Sequence, residues 1–159
     1  FGHRNPQGLA YDSYRERLWA IEHGPRGGDE LNIIEPGNNY GWPVVSQGKE
    51  YWGPISVGVE HKDGMVDPVR VYIPSIAPSS LMVYSGEAFP EWQGDLFAGA
   101  LAKQHLNHIH LNTEGAIIGE TRMFQSLNER IRDVTQSPEG WLYFVTDSGK
   151  LYQISPLSE

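Results

Sequence analysis

Arg132-Asp133-Val134-Thr135, the turn Ser137-Pro138-Glu139-Gly140, the run Leu142-Tyr143-Phe144-Val145 and the closing run Leu151-Tyr152-Gln153-Ile154 form one short unit. Alternating apolar runs bounded by Gly, Pro, Asn and Asp predict antiparallel strands joined by tight turns. The same plan occurs twice upstream. One copy holds Gly8-Leu9-Ala10-Tyr11, a polar turn from Asp12 to Arg17, Leu18-Trp19-Ala20-Ile21, and Asp29-Glu30-Leu31-Asn32-Ile33-Ile34. The other holds Ser80-Leu81-Met82-Val83-Tyr84, a turn through Pro90 and Gly94, Leu96-Phe97-Ala98-Gly99-Ala100-Leu101, and His108-Ile109-His110-Leu111. The Leu-aromatic pairs that begin at 18, 96 and 142 are 78 and 46 residues apart. The shorter spacing fits the roughly 40–50 residues of a β-propeller blade, and the longer one holds an inserted segment from Asn38 to Pro78.

This reading gives an all-β chain with three blades, approximately 1–37, 79–112 and 130–155, and a loop-rich insert over 38–78. The insert carries Asn39-Tyr40-Gly41-Trp42-Pro43 and Tyr51-Trp52-Gly53-Pro54, with one strand over Val69–Ile73. Ala98 to Leu106 has a composition that also suits a helix, and the repeat assigns it to strand. Propellers close with about 4 to 8 blades, so three leave open edges. The chain is therefore expected to be part of a larger propeller or to pair with a second copy; a small three-sheet domain with capped edges is the alternative.

Composition narrows the function. Of 159 residues, 20 are acidic and 12 are Lys or Arg, a net charge of −8 that disfavours nucleic acid and anionic lipid as partners. No apolar run approaches the roughly 18 residues of a membrane span. Without cysteine there is no disulfide, thiolate metal site or thiol catalysis. The first residues, Phe1-Gly2-His3-Arg4, contain no leader pattern, so any export signal is expected upstream or already removed.

Four stretches carry chemistry. Gly2-His3-Arg4-Asn5-Pro6-Gln7-Gly8 sets a cation and an amide in a turn before a strand, a place to grip an anionic cofactor, although such a turn is also ordinary loop chemistry. In Glu22-His23-Gly24-Pro25-Arg26-Gly27-Gly28-Asp29-Glu30, Gly and Pro allow successive carbonyls to face one point beside carboxylates. Those are the hard oxygen ligands of Ca²⁺; a Gly-rich hairpin with solvated acids is the other reading. Arg130-Ile131-Arg132 at strand spacing sends two guanidinium groups to one face, where they suit a polycarboxylate or phosphate or stand as plain surface charge. His105, His108 and His110 raise a metal reading, but only the last two share a strand face, and no HExxH spacing is present. No Gly-x-Ser-x-Gly elbow, phosphate-binding Walker loop or dinucleotide fingerprint occurs.

Taken in order, Gly2-His-Arg-Asn-Pro-Gln-Gly-Leu-Ala10, Glu22-His-Gly-Pro-Arg-Gly-Gly-Asp-Glu-Leu-Asn32, Asn39-Tyr-Gly-Trp-Pro43, Ala77-Pro-Ser-Ser80 and Glu129-Arg-Ile-Arg-Asp-Val134 resemble the soluble pyrroloquinoline quinone (PQQ) dependent glucose and aldose sugar dehydrogenases, the glucose/sorbosone dehydrogenase family. The resemblance spans Gly2 to Ser155 and implies the C-terminal half of a six-bladed β-propeller. It implies that Arg4 and Asn5 approach the quinone, that the carbonyls of Gly24 and Pro25 hold a catalytic Ca²⁺, and that Arg130 and Arg132 pair with the PQQ carboxylates. Glu30 and the Tyr40 carbonyl match a structural Ca²⁺ site. Where the family often places a Lys against PQQ, Ala102 stands here and Lys103 follows.

The implied chemistry is Ca²⁺ polarising the quinone, hydride passing from sugar C1, and a His base taking the hydroxyl proton to give a lactone. In the family that base lies in the earlier blades, so none is assigned in this chain and the chain alone is expected to be inactive. An aldose substrate, an external electron acceptor and a periplasmic or secreted location are implied as well. So is association, as a homodimer or with N-terminal blades. A non-catalytic Ca²⁺-stabilised binding or assembly module is the alternative from another class. A metal-dependent lactonase propeller lacks a placeable ligand set.

Overall fold

The computed structural model describes residues 1–157 and folds them into eleven strands and two short 3₁₀ turns, Pro90–Trp92 and Gln125–Leu127. The first sheet contains β1 (Pro6–Asp12), β2 (Arg17–Glu22), β3 (Asp29–Ile34) and β4 (Arg70–Tyr72), in that order. The second contains β5 (Met82–Val83), β6 (Leu96–Ala100), β7 (His105–Leu111) and β8 (Ile117–Met123), and the third β9 (Ile131–Gln136), β10 (Leu142–Thr146) and β11 (Leu151–Ile154). Every pairing is antiparallel. The chain is thus all-β, three blades that make half of a six-bladed propeller.

The stretch with helical composition is strand, turn and strand: β6 ends at Ala100, the chain reverses through Leu101–Gln104, and β7 begins at His105. Strand pairing on both sides overrides the weak helical preference of Ala, Lys and Gln. Two fourth strands lie outside the blade limits read from the sequence. Strand β4 returns from the far end of the insert to pair with β3, so 38–69 is an excursion between the last two strands of the first sheet. Strand β8 extends the second sheet beyond residue 112.

The recurring Leu-aromatic pair has a simple physical role. Successive side chains of a strand point to opposite faces, so the Leu of β6 serves one neighbouring sheet and the aromatic the other. Leu96, Ala98 and Ala100 join Trp19, Ile21 and Leu31 in a core between the first and second sheets. Phe97 joins Leu106, Ile131, Leu142 and Phe144 in a core between the second and third. The outward faces of the flanking sheets have no such cover: Leu9 and Tyr11 are 65% and 62% exposed on one side, and Leu151 is 67% exposed on the other.

Close approach near the inner strands requires a missing side chain. A Cβ on Gly8 would stand 2.5 Å from the Leu81 backbone nitrogen, so β1 reaches the segment leading into β5 only because residue 8 is glycine.

The layering predicts unequal costs. Phe97→Ala is expected to lower stability by about 3–5 kcal/mol, through lost burial and a cavity that two sheets share. Leu9→Ala, on an uncovered face, should change it by less than about 0.5 kcal/mol. Denaturant unfolding of both variants measures the difference.

Candidate functional site

One end of the blades gathers the chemistry-bearing loops. Glu22, the last residue of β2, is 3% exposed, and its carboxylate organises the segment before β1. Its Oε2 accepts the backbone N–H groups of Arg4 (2.7 Å) and Asn5 (3.1 Å), and its Oε1 lies 2.7 Å from His3 Nδ1. Arg4 is held from both sides. Its Nη1 donates to the His23 carbonyl at 3.2 Å, and its guanidinium sits 5.3 Å from the centre of the Trp42 ring. The Asn5 carbonyl accepts the His23 N–H, and the Asn5 Oδ1 accepts Gln7 Nε2 at 2.9 Å.

The Gly-rich loop between β2 and β3 is shaped by Asp29, which is 1% exposed. Asp29 Oδ1 accepts the Gly24 N–H at 3.1 Å, while Oδ2 accepts the Ser75 hydroxyl and the N–H groups of Ile76 and Ala77. A Cβ on Gly24 would collide with the Gly28 carbonyl, so this turn of the loop requires glycine. Among the described residues no donor reaches the carbonyls of Gly24, Pro25 or Tyr40. Tyr40 is buried, its hydroxyl donating to the Ile33 carbonyl at 2.9 Å and its ring stacked against His3.

A small, partly enclosed cavity of about 10 Å³, the volume that one water molecule or a bare ion needs, lies among Arg4, Glu22, Gly24, Pro25, Glu30 and Tyr40. Burial raises the Glu30 carboxyl to about 7, the neighbouring Glu22 and Asp29 charges add to that rise, and a hydrogen bond from Asn32 opposes it. Asn32 Oδ1 is itself buried without a donor. Oxygen donors and crowded carboxylates, with no Lys or Arg side chain bonded to them among the described residues, are the donor set of a hard cation.

Arg130 and Arg132 flank Ile131, which is buried in the core, and the two guanidiniums share the carboxylate of Asp147, each with Nε at 2.7 Å. Those two cations hold the Asp147 carboxyl below the usual range. Arg130 Nη1 also reaches the Leu101 carbonyl at 3.4 Å, on the turn that carries the exposed Lys103. Arg132 borders a groove with Gln7, Gly8, Ser79 and Ser80. The structure therefore brings Arg4, Gly24, Pro25, Glu30 and Tyr40 to one cavity, ties Asn5 to it through Glu22, and sets Arg130 and Arg132 together on a separate part of the rim.

The three histidines of β7 do not act as a group. His105 is fully buried against the Lys103 carbonyl, and burial holds its imidazole below the usual range. His108 and His110 lie at the other end of the strand with Asp95. Glu22, Asp29 and Trp42 stand inside sequence motifs that do not reveal the roles they have here, and Asp147 escaped the sequence reading altogether. Glu22 and Asp29 stand inside the Gly-rich motif as strand-end acids, a signal of a kind. Asp147 sits in an ordinary Thr-Asp-Ser-Gly turn that gives none.

A β-propeller half with an acidic oxygen-lined cavity and a paired-arginine rim defines the class of protein. Comparison with known proteins narrows it: the Glucose / Sorbosone dehydrogenase family matches residues 1–153, and the chain belongs to that family. It is 41% identical over 161 residues to aldose sugar dehydrogenase YliI of Escherichia coli, covering 98% of this chain and 43% of that protein. The crystal structure of the soluble aldose sugar dehydrogenase (Asd) from Escherichia coli in the apo form superposes with a TM-score of 0.88 at 39% identity, over 98% of this chain and 46% of the other. The PQQ-bound aldose sugar dehydrogenase (Adh) of Streptomyces coelicolor does so with a TM-score of 0.68 at 31% identity, over 91% and 38%. The chain thus spans less than half the length of these relatives.

Asp29 holds the loop together, which gives a direct test. Asp29→Ala removes the partner of the Gly24 and Ile76 N–H groups and of the Ser75 hydroxyl, while the Ala77 N–H keeps its bond to Ser75 Oγ, and is expected to cost about 3 kcal/mol or more, at about 1–3 kcal/mol for each group left buried and unpaired. Gln7→Ala, which removes one exposed hydrogen-bonding amide, should stay within about 0.5 kcal/mol of the parent in the same urea titration.

Proposed function

We propose that this chain supplies the cofactor-holding half of a PQQ- and Ca²⁺-dependent dehydrogenase that oxidises aldose sugars at C1 to lactones. The observation that carries the reading is the cavity beside the Gly-rich loop, where unpaired carbonyls meet crowded carboxylates, in a chain of this family. When bound, Ca²⁺ and PQQ supply Lewis-acid polarisation and a two-electron acceptor. The chain's own residues bind and orient. Glu30 with the Tyr40 carbonyl holds a structural Ca²⁺ in the cavity, which has room for one ion, and the Gly24 and Pro25 carbonyls on its border hold the catalytic Ca²⁺ outside it. Arg130 and Arg132 take the PQQ carboxylates while Asp147 keeps their forks fixed, Arg4 and Asn5 approach the quinone, and Lys103 adds a cation at the rim.

By motif order neither His3, which lies against Glu22, nor His23, whose Nε2 lies against the Pro78 carbonyl, stands where the family has its base, so the proton acceptor is assigned to a His elsewhere in the propeller. The chain alone is accordingly inactive. The uncovered sheet faces support association with further blades or with a second copy, and the enzyme is placed in the periplasm or outside the cell with an external electron acceptor. Among the described residues no helix is long and apolar enough to cross a membrane.

Ca²⁺ should raise the melting temperature of the chain, Mg²⁺ should not, and Glu30→Gln should lose most of the rise; an equal Ca²⁺ shift in that variant would remove Glu30 from the site. Separately, PQQ affinity measured with Ca²⁺ present should fall about tenfold to a hundredfold in Arg130→Ala and in Arg132→Ala, because charge-assisted pairs are worth roughly 1.5–3 kcal/mol each. Glucose oxidation with a dye acceptor should be at most a trace for the chain alone, since general-base catalysis contributes ~10²–10⁴-fold. PQQ binding unchanged in both variants would overturn the cofactor assignment. Binding of Ca²⁺ without PQQ would favour the non-catalytic module.

A further inference from the structure

The second sheet carries a group of side chains that the dehydrogenase reading does not use. Asp95 directly precedes β6, while Leu101, on the turn near Arg130, directly follows it. The strand's rise of about 3.3 Å per residue therefore puts Asp95 roughly 20 Å away, at the opposite end of the sheet. His108 and His110 project from one face of β7 toward Asp95. His108 Nε2 lies 2.7 Å and His110 Nδ1 3.3 Å from the same carboxylate oxygen, Oδ2.

All three groups are held in place by others. Asp95 Oδ1 accepts the Leu111 N–H at 2.8 Å, which fixes the carboxylate. The His108 ring is stacked on Phe97, with centroids 4.2 Å apart, and meets Trp92 edge-on at 5.4 Å. His110 Nε2 is 2.8 Å from Thr121 Oγ1, a contact that leaves Nδ1 facing Asp95. Asp95 and His108 are buried, and His110 is a third exposed.

We propose that Asp95, His108 and His110 form a binding site for one divalent transition metal of the zinc class. Metal–ligand bonds of about 2.0–2.2 Å at tetrahedral angles put neighbouring ligand atoms roughly 3.3 Å apart. The three candidate atoms all lie within 4.8 Å of one another, with two of the spacings at 2.7 and 3.3 Å. A small opening of the Asp95–His108 contact admits the ion, which takes the place of the protons now shared between imidazoles and carboxylate. The Thr121 contact to the far nitrogen of His110 is the outer-shell support that metal-bound imidazoles commonly have. Two imidazoles favour Zn²⁺, Co²⁺, Ni²⁺ or Cu²⁺ over Ca²⁺ and Mg²⁺. His110 is a third exposed, and water reaching the site on its side would complete a four-coordinate set. The ion joins the approach to β6 to the end of β7, and the site is independent of the Ca²⁺ and PQQ assignments.

Cobalt and zinc titrations of the EDTA-treated chain test this. One equivalent of Co²⁺ should give the visible absorption of a four-coordinate ion, Zn²⁺ should displace it, and Zn²⁺ should raise the melting temperature by several degrees while a large excess of Mg²⁺ or Ca²⁺ does not displace cobalt. His110→Gln changes the most exposed ligand and should fold normally by circular dichroism, yet lose the cobalt spectrum and at least tenfold in Zn²⁺ affinity; Asp95→Asn should do the same if it folds. His61→Gln is the control, because His61 beside Asp63 and Asp67 is a second histidine–carboxylate group, on an exposed loop outside the proposed site. Absence of the cobalt spectrum in the parent, its persistence in His110→Gln, or its loss in His61→Gln would each overturn the proposal.

Discussion

Strand alternation is the constraint on which the rest of this structure depends. A strand of period two in a blade has no solvent side: one set of side chains packs on the preceding sheet and the other on the following sheet. The middle sheet satisfies this on both faces, with Leu96, Ala98 and Ala100 on one and Phe97 on the other. The flanking sheets satisfy it on one face each. Leu9, Tyr11 and Leu151 are consequences of the same alternation, apolar because the pattern makes them so and exposed because nothing in the described chain covers them.

Apolar packing alone does not fix how adjacent sheets sit, because it has little direction. Directional polar ties between sheets supply the missing information. At one end, Arg15 donates to Asp12, to the Gly94 carbonyl and to the Asn112 carbonyl, fastening the first sheet's turn to the second sheet. The Tyr84 hydroxyl donates to the Gly140 carbonyl at 2.6 Å, tying the second sheet to the turn before β10. At the loop-rich end, the Ser79 hydroxyl donates to the Ile131 carbonyl at 2.7 Å. That bond places the residue between Arg130 and Arg132, so the position of the arginine rim relative to the second sheet is inherited from the contact between sheets.

The sequence shows the three repeats because their cue is local: a Leu-aromatic pair, a turn and a second apolar run. It shows a strand at Val69–Ile73 but not that this strand closes the first sheet, and it does not show β8, for two different reasons. Strand β4 is three residues long and separated from β3 by 35 residues, so its pairing depends on how the excursion folds back. In β8, Ile117-Ile118-Gly119-Glu120-Thr121-Arg122-Met123 barely alternates, because an outermost strand has less to bury. The candidate site divides in the same way. Residues inside ordered motifs are visible, whereas Asp147 lies in none of them, and the role of Trp42, although it stands in the Asn39–Pro43 motif, appears only when the fold lays Arg4 beside it. The β7 histidines show the limit plainly: spacing separates His105 from the other two, but Asp95, which gives the pair its meaning, lies 13 residues from His108 and is reached only through the β6–β7 pairing.

The loop-rich end joins two electrostatic demands of opposite sign. Burial in the cavity, with a smaller push from the neighbouring Glu22 and Asp29 charges, lifts the Glu30 carboxyl toward neutrality, so the cavity gains most from a cation. The rim at Arg130 and Arg132 places two positive charges on one carboxylate, which leaves an excess positive charge facing solvent. A lone anion would satisfy the rim and worsen the cavity, and a lone cation would do the reverse. In the proposed enzyme a divalent metal and a polycarboxylate cofactor answer both at once. Each lowers the electrostatic cost of binding the other, because opposite charges brought into one poorly solvated site attract more strongly than they would in water. The binding of the two should therefore be coupled, and by linkage each strengthens the other to the same degree.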